Sequence, residues 1–151
     1  MKIRILSSDD VRQALPMETA IEGMKLAFSR FSSGRVEMPL RSRVHVPEQE
    51  GVLLTMPAAI PDDGEMAVKI VTVFGTNPAR GFPLIHAAVL IFDADNGQVK
   101  ALMDGEVLTA VRTGAGVGAA TDLLAPEDAV TVAIIGSGKQ ACSQLDAVCT
   151  V

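Results

Sequence analysis

The sequence predicts an α/β protein in which a β-rich region between helices is followed by the start of a nucleotide-type βα unit. Residues 40–103 contain apolar, β-branched runs separated by turn residues, the pattern of successive strands. Residues 17–31 and 106–124 are instead compatible with helices. Finally, the uncharged apolar run at 129–135 stops at Gly136-Ser-Gly138. The chain has 151 residues, near the size of one ordinary domain.

The N-terminal part is predicted to hold one strand and two helices. Residues 3–6 form a short apolar strand, and Ser7-Ser-Asp-Asp10 offers N-caps for a short helix over 11–15. A longer amphipathic helix is indicated by apolar residues at spacings of three and four, and it ends at 32–34. Its apolar positions are Met17, Ala20, Ile21, Met24, Ala27, Phe28 and Phe31. We interpret this stripe as packing.

The middle of the chain is predicted to form five strands. They cover residues 40–46, 51–57, 65–74, 85–92 and 98–103. Residues 93–97, Asp-Ala-Asp-Asn-Gly, are a strong hairpin signal between the last two. The 65–74 run is apolar on both faces, which predicts a strand buried on both sides.

The helix predicted at 106–124 carries three glycines, Gly114, Gly116 and Gly118. Each lowers helix propensity by about 1 kcal/mol relative to alanine. Such a helix is stable only where tertiary packing holds it. Glycine also lets another backbone, or a ligand, approach closely.

The run at 129–135 and the turn after it have the features of a dinucleotide-binding strand and turn. Gly136 allows the tight turn, and Gly138 lets backbone N–H groups approach a pyrophosphate. The helix that follows directs its positive N-terminus at that phosphate. Ala141 is small enough for close helix–strand packing. An ordinary strand–turn–helix is the alternative, because a bare Gly-x-Gly is not specific.

Composition excludes several classes of function. The net charge of −5 and the lack of a long basic run argue against a nucleic-acid partner. No apolar run approaches the roughly 20 residues that span a membrane, and Asp9-Asp10 comes too early for a signal peptide. Cys142 and Cys149 are expected to be small buried residues or incidental thiols. These features predict a cytoplasmic protein.

Two cations lie in unusual surroundings. Lys69 falls within the apolar run 65–74, so it must snorkel, pair with an acid or bind a substrate carboxylate. Arg112 lies in a glycine- and alanine-rich helix, where it is either a surface residue or a bidentate carboxylate or phosphate binder. Arg41 and Arg43 share one strand face, which is usually solvated. His45 and His86 lack partners at metal-ligand spacing, so we predict no metal site.

Taken together, these segments resemble the ornithine cyclodeaminase/mu-crystallin family, and the resemblance covers nearly the whole chain. The segments that carry it are Met56-Pro-Ala58, Val68-Lys69-Ile-Val, Asn77-Pro-Ala-Arg-Gly-Phe-Pro83, Leu90-Ile-Phe-Asp-Ala94, Ala101-Leu-Met-Asp-Gly105, Leu108-Thr-Ala-Val-Arg112-Thr-Gly-Ala and Ile134-Ile-Gly-Ser-Gly-Lys-Gln-Ala141.

The resemblance implies an α+β substrate-binding and dimerisation domain at 1–127, followed from 128 to 151 by the first βα unit of a Rossmann domain. It implies a homodimer that binds NAD, or alternatively NADP, and acts on a small amino or imino acid. The activities implied are conversion of L-ornithine to L-proline and ammonia through transient hydride transfer, alanine dehydrogenation, and reduction of cyclic imines or ketimines. A non-catalytic, crystallin-like binding role is a weaker alternative.

By position, the resemblance assigns the substrate carboxylate to Lys69, Arg112 and Arg41, with Arg43 as the competitor of Arg41. Met56 is assigned to the same pocket.

The resemblance assigns the cofactor to Arg112 and Thr113 and to four residues of the glycine turn, Gly136, Gly138, Lys139 and Gln140. Leu84 replaces a threonine that often reaches the cofactor in the family, so that contact is not expected here. The catalytic aspartate is expected beyond residue 151, which predicts a truncated member, and the rival hypothesis is a fragment that can only dimerise or bind weakly.

Overall fold

The computed structural model describes residues 2–151, which form one six-stranded sheet and four α-helices. The strands are β1 (Arg4–Leu6), β2 (Ser42–Val46), β3 (Gly51–Ile60), β4 (Glu65–Phe74), β5 (Ile85–Asp93) and β6 (Val99–Asp104). The helices are α1 (Ser8–Ala14), α2 (Met17–Ser32), α3 (Gly105–Leu124) and α4 (Ala141–Thr150). The mixed α/β class is confirmed, and so are the six strands and three helices predicted before residue 125.

The sheet has the order β1-β6-β5-β4-β3-β2. Strands β2 to β6 are neighbours in both sequence and space, and each pairs antiparallel with the next. The N-terminal strand β1 pairs parallel with β6, so β1 and β2 are the two edges. Short turns make this succession of hairpins possible, and Gly64 and Gly81 take left-handed φ values there.

Local capping starts the first helix as predicted. The Asp10 carboxylate accepts hydrogen bonds from the Ser7 backbone N–H at 2.8 Å and from the Ser7 hydroxyl at 2.6 Å. The Asp10 N–H donates back to the Ser7 hydroxyl at 3.3 Å. This reciprocal pattern satisfies N–H groups that have no partner inside the helix.

The described chain divides into two compact units, residues 2–11 with 34–106 and residues 12–33 with 107–151. The first unit contains the sheet, and the second contains α2, α4 and most of α3. The predicted division into 1–127 and 128–151 stays a prediction, since it concerns domains of the whole protein.

In the first unit the most buried side chains of the sheet lie on one face. Ala87, Val89 and Ile91 lie on one face of β5. Val71 of β4 pairs with Ala87, and Ala101 of β6 pairs with Ile91, so Val71 and Ala101 share that face. Val71, Val89 and Ala101 are buried. The prediction that β4 is buried on both faces is wrong, because its other face is only half-buried and Met66 is exposed. A sheet is buried on both sides only where a packing layer covers each face.

The second unit has a core of small residues. Ala20, Ile21, Ala115, Ala119 and Ala147 are buried together, from α2, α3 and α4. The glycines of α3 are the reason that the helices can approach this closely. A Cβ at position 114 would collide with the backbone carbonyl of Ser143, and one at position 118 would lie 2.7 Å from Ile21 Cδ1. The predicted close approach of another backbone to this helix is therefore confirmed.

One expectation about the second unit is wrong. Residues 129–135 are exposed and belong to no strand, because within residues 2–151 no strand pairs with them, and a strand requires such a partner. The predicted stripe of α2 packs on the core through Ala20 and Ile21, with Met17 and Met24 against them, whereas Phe28 and Phe31 are about half exposed. Cys142 and Cys149 are free and exposed, which agrees with the second expectation for them, incidental thiols.

Candidate functional site

The sheet places Lys69 directly beside Met56. Lys69 of β4 pairs with Met56 of β3 on one side and with Val89 of β5 on the other. Directly opposite residues in an antiparallel pair share a face, with Cβ atoms about 4.5–5.5 Å apart. Lys69 is half-buried and belongs to the face that carries the buried Val71 and Val89. Its stem lies among apolar side chains, a setting in which an ammonium group interacts more strongly with a carboxylate than in water.

Arg43 lies on this same face at the edge of the sheet, and Arg41 directly precedes the edge strand. Arg43 pairs with Leu54, and Arg41 immediately precedes Ser42, which pairs with Thr55. Extending the register by one residue brings Arg41 opposite Met56. Arg41 is then in the row of Lys69, about 10 Å away by two strand spacings, whereas Arg43 is one row further along. The choice of Arg41 as the third cation, with Arg43 as its competitor, stays a prediction.

The two arginines line one cavity of about 470 Å³. Its other lining residues are His45, Pro47, Glu50, Gly51, Val52 and Leu54. Both guanidinium-bearing side chains are exposed, so the cavity is open to solutes.

In the second unit, Arg112 and Thr113 lie on α3. Arg112 is exposed and lines a groove of about 500 Å³ with Thr113, Met24, Phe28 and Gly116. The expected small and apolar surroundings are present, but the side chain itself is at the surface. The Thr113 hydroxyl donates a 2.6 Å hydrogen bond to the Thr109 carbonyl, one turn earlier in the helix.

The glycine turn precedes α4 in the predicted manner. Gly136 has φ 107°, a backbone conformation that residues with a side chain rarely adopt. A Cβ at Gly136 or at Gly138 would meet no atom within 4 Å, so space beside the turn is open. The helix begins at Ala141, whose N–H donates to the Gly138 carbonyl at 2.9 Å. An open, glycine-lined turn at a helix N-terminus fits the pyrophosphate of a dinucleotide.

Sequence reasoning missed two residues near these sites. Arg12 of α1 lines a cavity of about 550 Å³ that also contains Lys139 of the glycine turn. Glu50 has φ 47° and is the one non-glycine residue with positive φ among residues 2–151. Arg12 lies over 100 residues from Lys139 in sequence, so no motif connects the two. Glu50 ends the polar turn Pro47-Glu-Gln-Glu50, but a glutamate carries no signal for a positive φ.

Between residues 2 and 151, no helix combines the length and the apolar character needed to cross a bilayer. In the same range, no group of three or more His, Cys, Asp or Glu side chains is placed to hold a metal ion.

The sheet carries a half-buried lysine beside Met56, and a glycine turn opens onto a helix N-terminus. These two features define a class of α/β proteins with a nucleotide-type turn. Comparison with known proteins gives the family. The model of the ornithine cyclodeaminase/mu-crystallin family matches residues 1–151, and the chain belongs to this family.

Individual relatives agree with this assignment. The chain is 35% identical over 147 residues to a Δ1-pyrroline-2-carboxylate reductase of Bacillus cereus, covering 97% of this chain and 45% of that protein. It is similar to the structure of Thermococcus litoralis Δ1-pyrroline-2-carboxylate reductase in complex with NADH and L-proline, with 38% identity, a TM-score of 0.89 and coverage of 99% and 46%. An archaeal alanine dehydrogenase dimer with bound NAD matches with 31% identity, a TM-score of 0.90 and coverage of 100% and 46%.

The chain thus spans slightly less than half the length of the relatives that it matches.

Proposed function

We propose that this chain provides the substrate-carboxylate site and the nucleotide turn of an NAD-dependent enzyme that reduces an imino acid to the amino acid. The observation that carries the proposal is the half-buried Lys69, paired with Met56 in a sheet whose edge strand is directly preceded by Arg41. A cation in that position holds a carboxylate, and the apolar neighbours suit the carbon skeleton attached to it.

The relatives support a reductase as the first candidate. Two of them are Δ1-pyrroline-2-carboxylate reductases, at 35% and 38% identity. The corresponding reaction is Δ1-pyrroline-2-carboxylate + NADH + H⁺ → L-proline + NAD⁺. Alanine dehydrogenation is a second candidate, since a dehydrogenase matches over the whole chain. Conversion of ornithine to proline and ammonia is a third, since the matching family model is described by that activity.

The residues of the chain orient the substrate. NADH, when bound, supplies the hydride that adds to the carbon of the C=N bond. Lys69 and Arg41 hold the substrate carboxylate, which fixes the position of the adjacent carbon. Met56 lies beside that carbon and excludes water from it. On the family resemblance, Arg112 is proposed as a further carboxylate binder. Holding the substrate by its carboxylate keeps the reacting carbon in the geometry that hydride addition requires.

The cofactor is proposed to bind at the glycine turn. Gly136 and Gly138 leave room for the pyrophosphate, and Lys139 and Gln140 border it. On the family resemblance, Thr113 faces the cofactor together with Arg112. We propose NAD, since related structures contain NADH or NAD, and NADP is the alternative.

We further propose a homodimer located in the cytoplasm. The dimeric alanine dehydrogenase among the related structures supports the homodimer. Sedimentation equilibrium of the purified chain tests this. A monomer at concentrations well above those of the assays would contradict it.

The activity is tested by following NADH absorbance. The purified chain is incubated with NADH and Δ1-pyrroline-2-carboxylate, and separately with NAD⁺ and alanine, proline or ornithine. Ammonia release from ornithine without net NADH formation would identify the cyclodeaminase. We expect Lys69→Met to lower kcat/KM at least about 100-fold, as for loss of a charged hydrogen bond worth about 3 kcal/mol.

Lys2→Met is the matched control, because Lys2 is exposed and lies outside the sheet strands. If Lys69→Met behaved like Lys2→Met in an active protein, the role of Lys69 would be wrong. If the chain gave no turnover, NADH fluorescence would test the cofactor site directly. Gly136→Val should abolish binding there, and retained binding without turnover would favour the non-catalytic alternative.

A further inference from the structure

Strand β2 carries its basic residues on one face only. Arg43 and His45 alternate along the strand with Ser42, Val44 and Val46, so these two side chains share one face and the opposite face carries no ionisable group. Arg41, one residue before the strand, continues the basic row. The chain as a whole is acidic, with a net charge of −5, so this concentration of positive charge runs against the average.

The register ties these cations to the proposed substrate site. Arg43 pairs with Leu54 and His45 pairs with Val52, positions on the same face of β3 as Met56. Successive rows on one face are about 7 Å apart, so the basic side chains extend along the strand from the row of Lys69. Arg41, Arg43 and His45 line a single cavity, in which Glu50 is the one acidic lining residue.

Charges on an edge strand are often simply solvated, and that is the alternative explanation. Solvation alone does not favour one face, however, and here all the basic residues face the side that carries Lys69. A single carboxylate is already provided for by Lys69 and Arg41. Arg43 and His45 are therefore surplus to it, although they line the same cavity as Arg41.

We propose that Arg43 and His45 form a second anion subsite, which receives a carboxylate on the side chain of the substrate. The preferred substrates are then imino or amino dicarboxylic acids, whose second acidic group reaches towards Arg43, one row from Lys69, and His45, two rows from it. This inference rests on the proposed function, because it takes the carboxylate held by Lys69 and Arg41 as its reference point.

The test is isothermal titration of the 151-residue chain with succinate and with butyrate, at matched ionic strength and with NADH present. Both acids have four carbons, and only succinate has a second carboxylate. We expect succinate to bind at least about tenfold more tightly. Arg43→Gln and, separately, His45→Gln should reduce this preference several-fold while leaving butyrate affinity within about twofold.

Arg4→Gln is the matched control, since Arg4 is an exposed arginine of β1 at the opposite edge of the sheet. It should leave both affinities unchanged. Equal affinity for succinate and butyrate, or an unchanged preference in both Arg43→Gln and His45→Gln, would overturn the second subsite. Butyrate binding that is lost in Lys69→Met would then show that the proposed function survives. If butyrate did not bind at all, the proposed carboxylate site would fail as well.

Discussion

Alanine substitutions at the glycines of α3 should distinguish the contribution of packing to the free energy of unfolding from that of helix propensity. Gly114→Ala places a methyl group against the backbone carbonyl of Ser143, an atom in α4 that cannot rotate away. Helix propensity favours alanine by about 1 kcal/mol, but overpacking typically costs 1–3 kcal/mol. Because backbone must move, we expect the overpacking cost to prevail, with a net loss of about 1–2 kcal/mol in the free energy of unfolding.

The chain offers two matched controls for this substitution. At Gly116 a Cβ would lie 3.7 Å from Met24 Cε and 3.8 Å from Phe28, which is ordinary van der Waals contact. At Gly23 of α2 it would meet nothing within 4 Å. Gly116→Ala and Gly23→Ala should therefore each stabilise the protein by about 0.5–1 kcal/mol.

Urea denaturation followed by circular dichroism measures these changes, and thermal denaturation gives an independent check. For a chain of this size, 1 kcal/mol corresponds to about 2–4 °C in Tm. Gly114→Ala should therefore melt clearly below both controls. If it were as stable as Gly116→Ala, α4 would not pack on α3 at Gly114, and the position assigned to the first turn of α4 would be wrong.

Two further predictions concern turns of the first unit. Glu50→Gly should raise the free energy of unfolding by about 1 kcal/mol. Glu50 has φ 47° and ψ 38°, a left-handed conformation that costs a residue with a Cβ about 1 kcal/mol. A lower urea midpoint in the variant would contradict this. The pKa of Asp93 is lowered, chiefly because its carboxylate accepts a 2.9 Å hydrogen bond from the Asp95 N–H. A lowered pKa in the folded state contributes stability that is complete above the unfolded value near 3.8 and is lost as the pH falls through the folded value. Asp93→Asn should therefore weaken the dependence of unfolding free energy on pH below about 4, and an unchanged slope in urea titrations at several pH values would contradict it.

Most elements were predictable because their signals are local. The hairpin turns before β4 and β6 and the capping residues of α1 lie within a few residues of the elements that they delimit. The parallel pairing of β1 with β6 could not be predicted, since it joins residues about 97 positions apart with no turn between them.

The candidate site was predictable in residue type and less so in geometry. A lysine within an apolar run indicated a functional or paired cation, and Lys69 is indeed half-buried. That Met56 lies opposite Lys69 depends on the register of β3 with β4, which follows from the exact length of the turn at 61–64. The exposure of residues 129–135 could not be read from their own composition, because a strand signal does not specify a pairing partner.

The unpaired segment at 129–135 has a consequence for handling the protein. It is uncharged, rich in β-branched residues and free of proline, and Val130 and Ile135 are almost fully exposed. Segments of this kind form intermolecular β-structure readily when their backbone groups are accessible. We therefore expect concentrated samples to aggregate through this segment, and a charged residue introduced at Val130 should slow that process. The stretch that precedes the nucleotide turn is thus also a segment through which we expect the chain to aggregate.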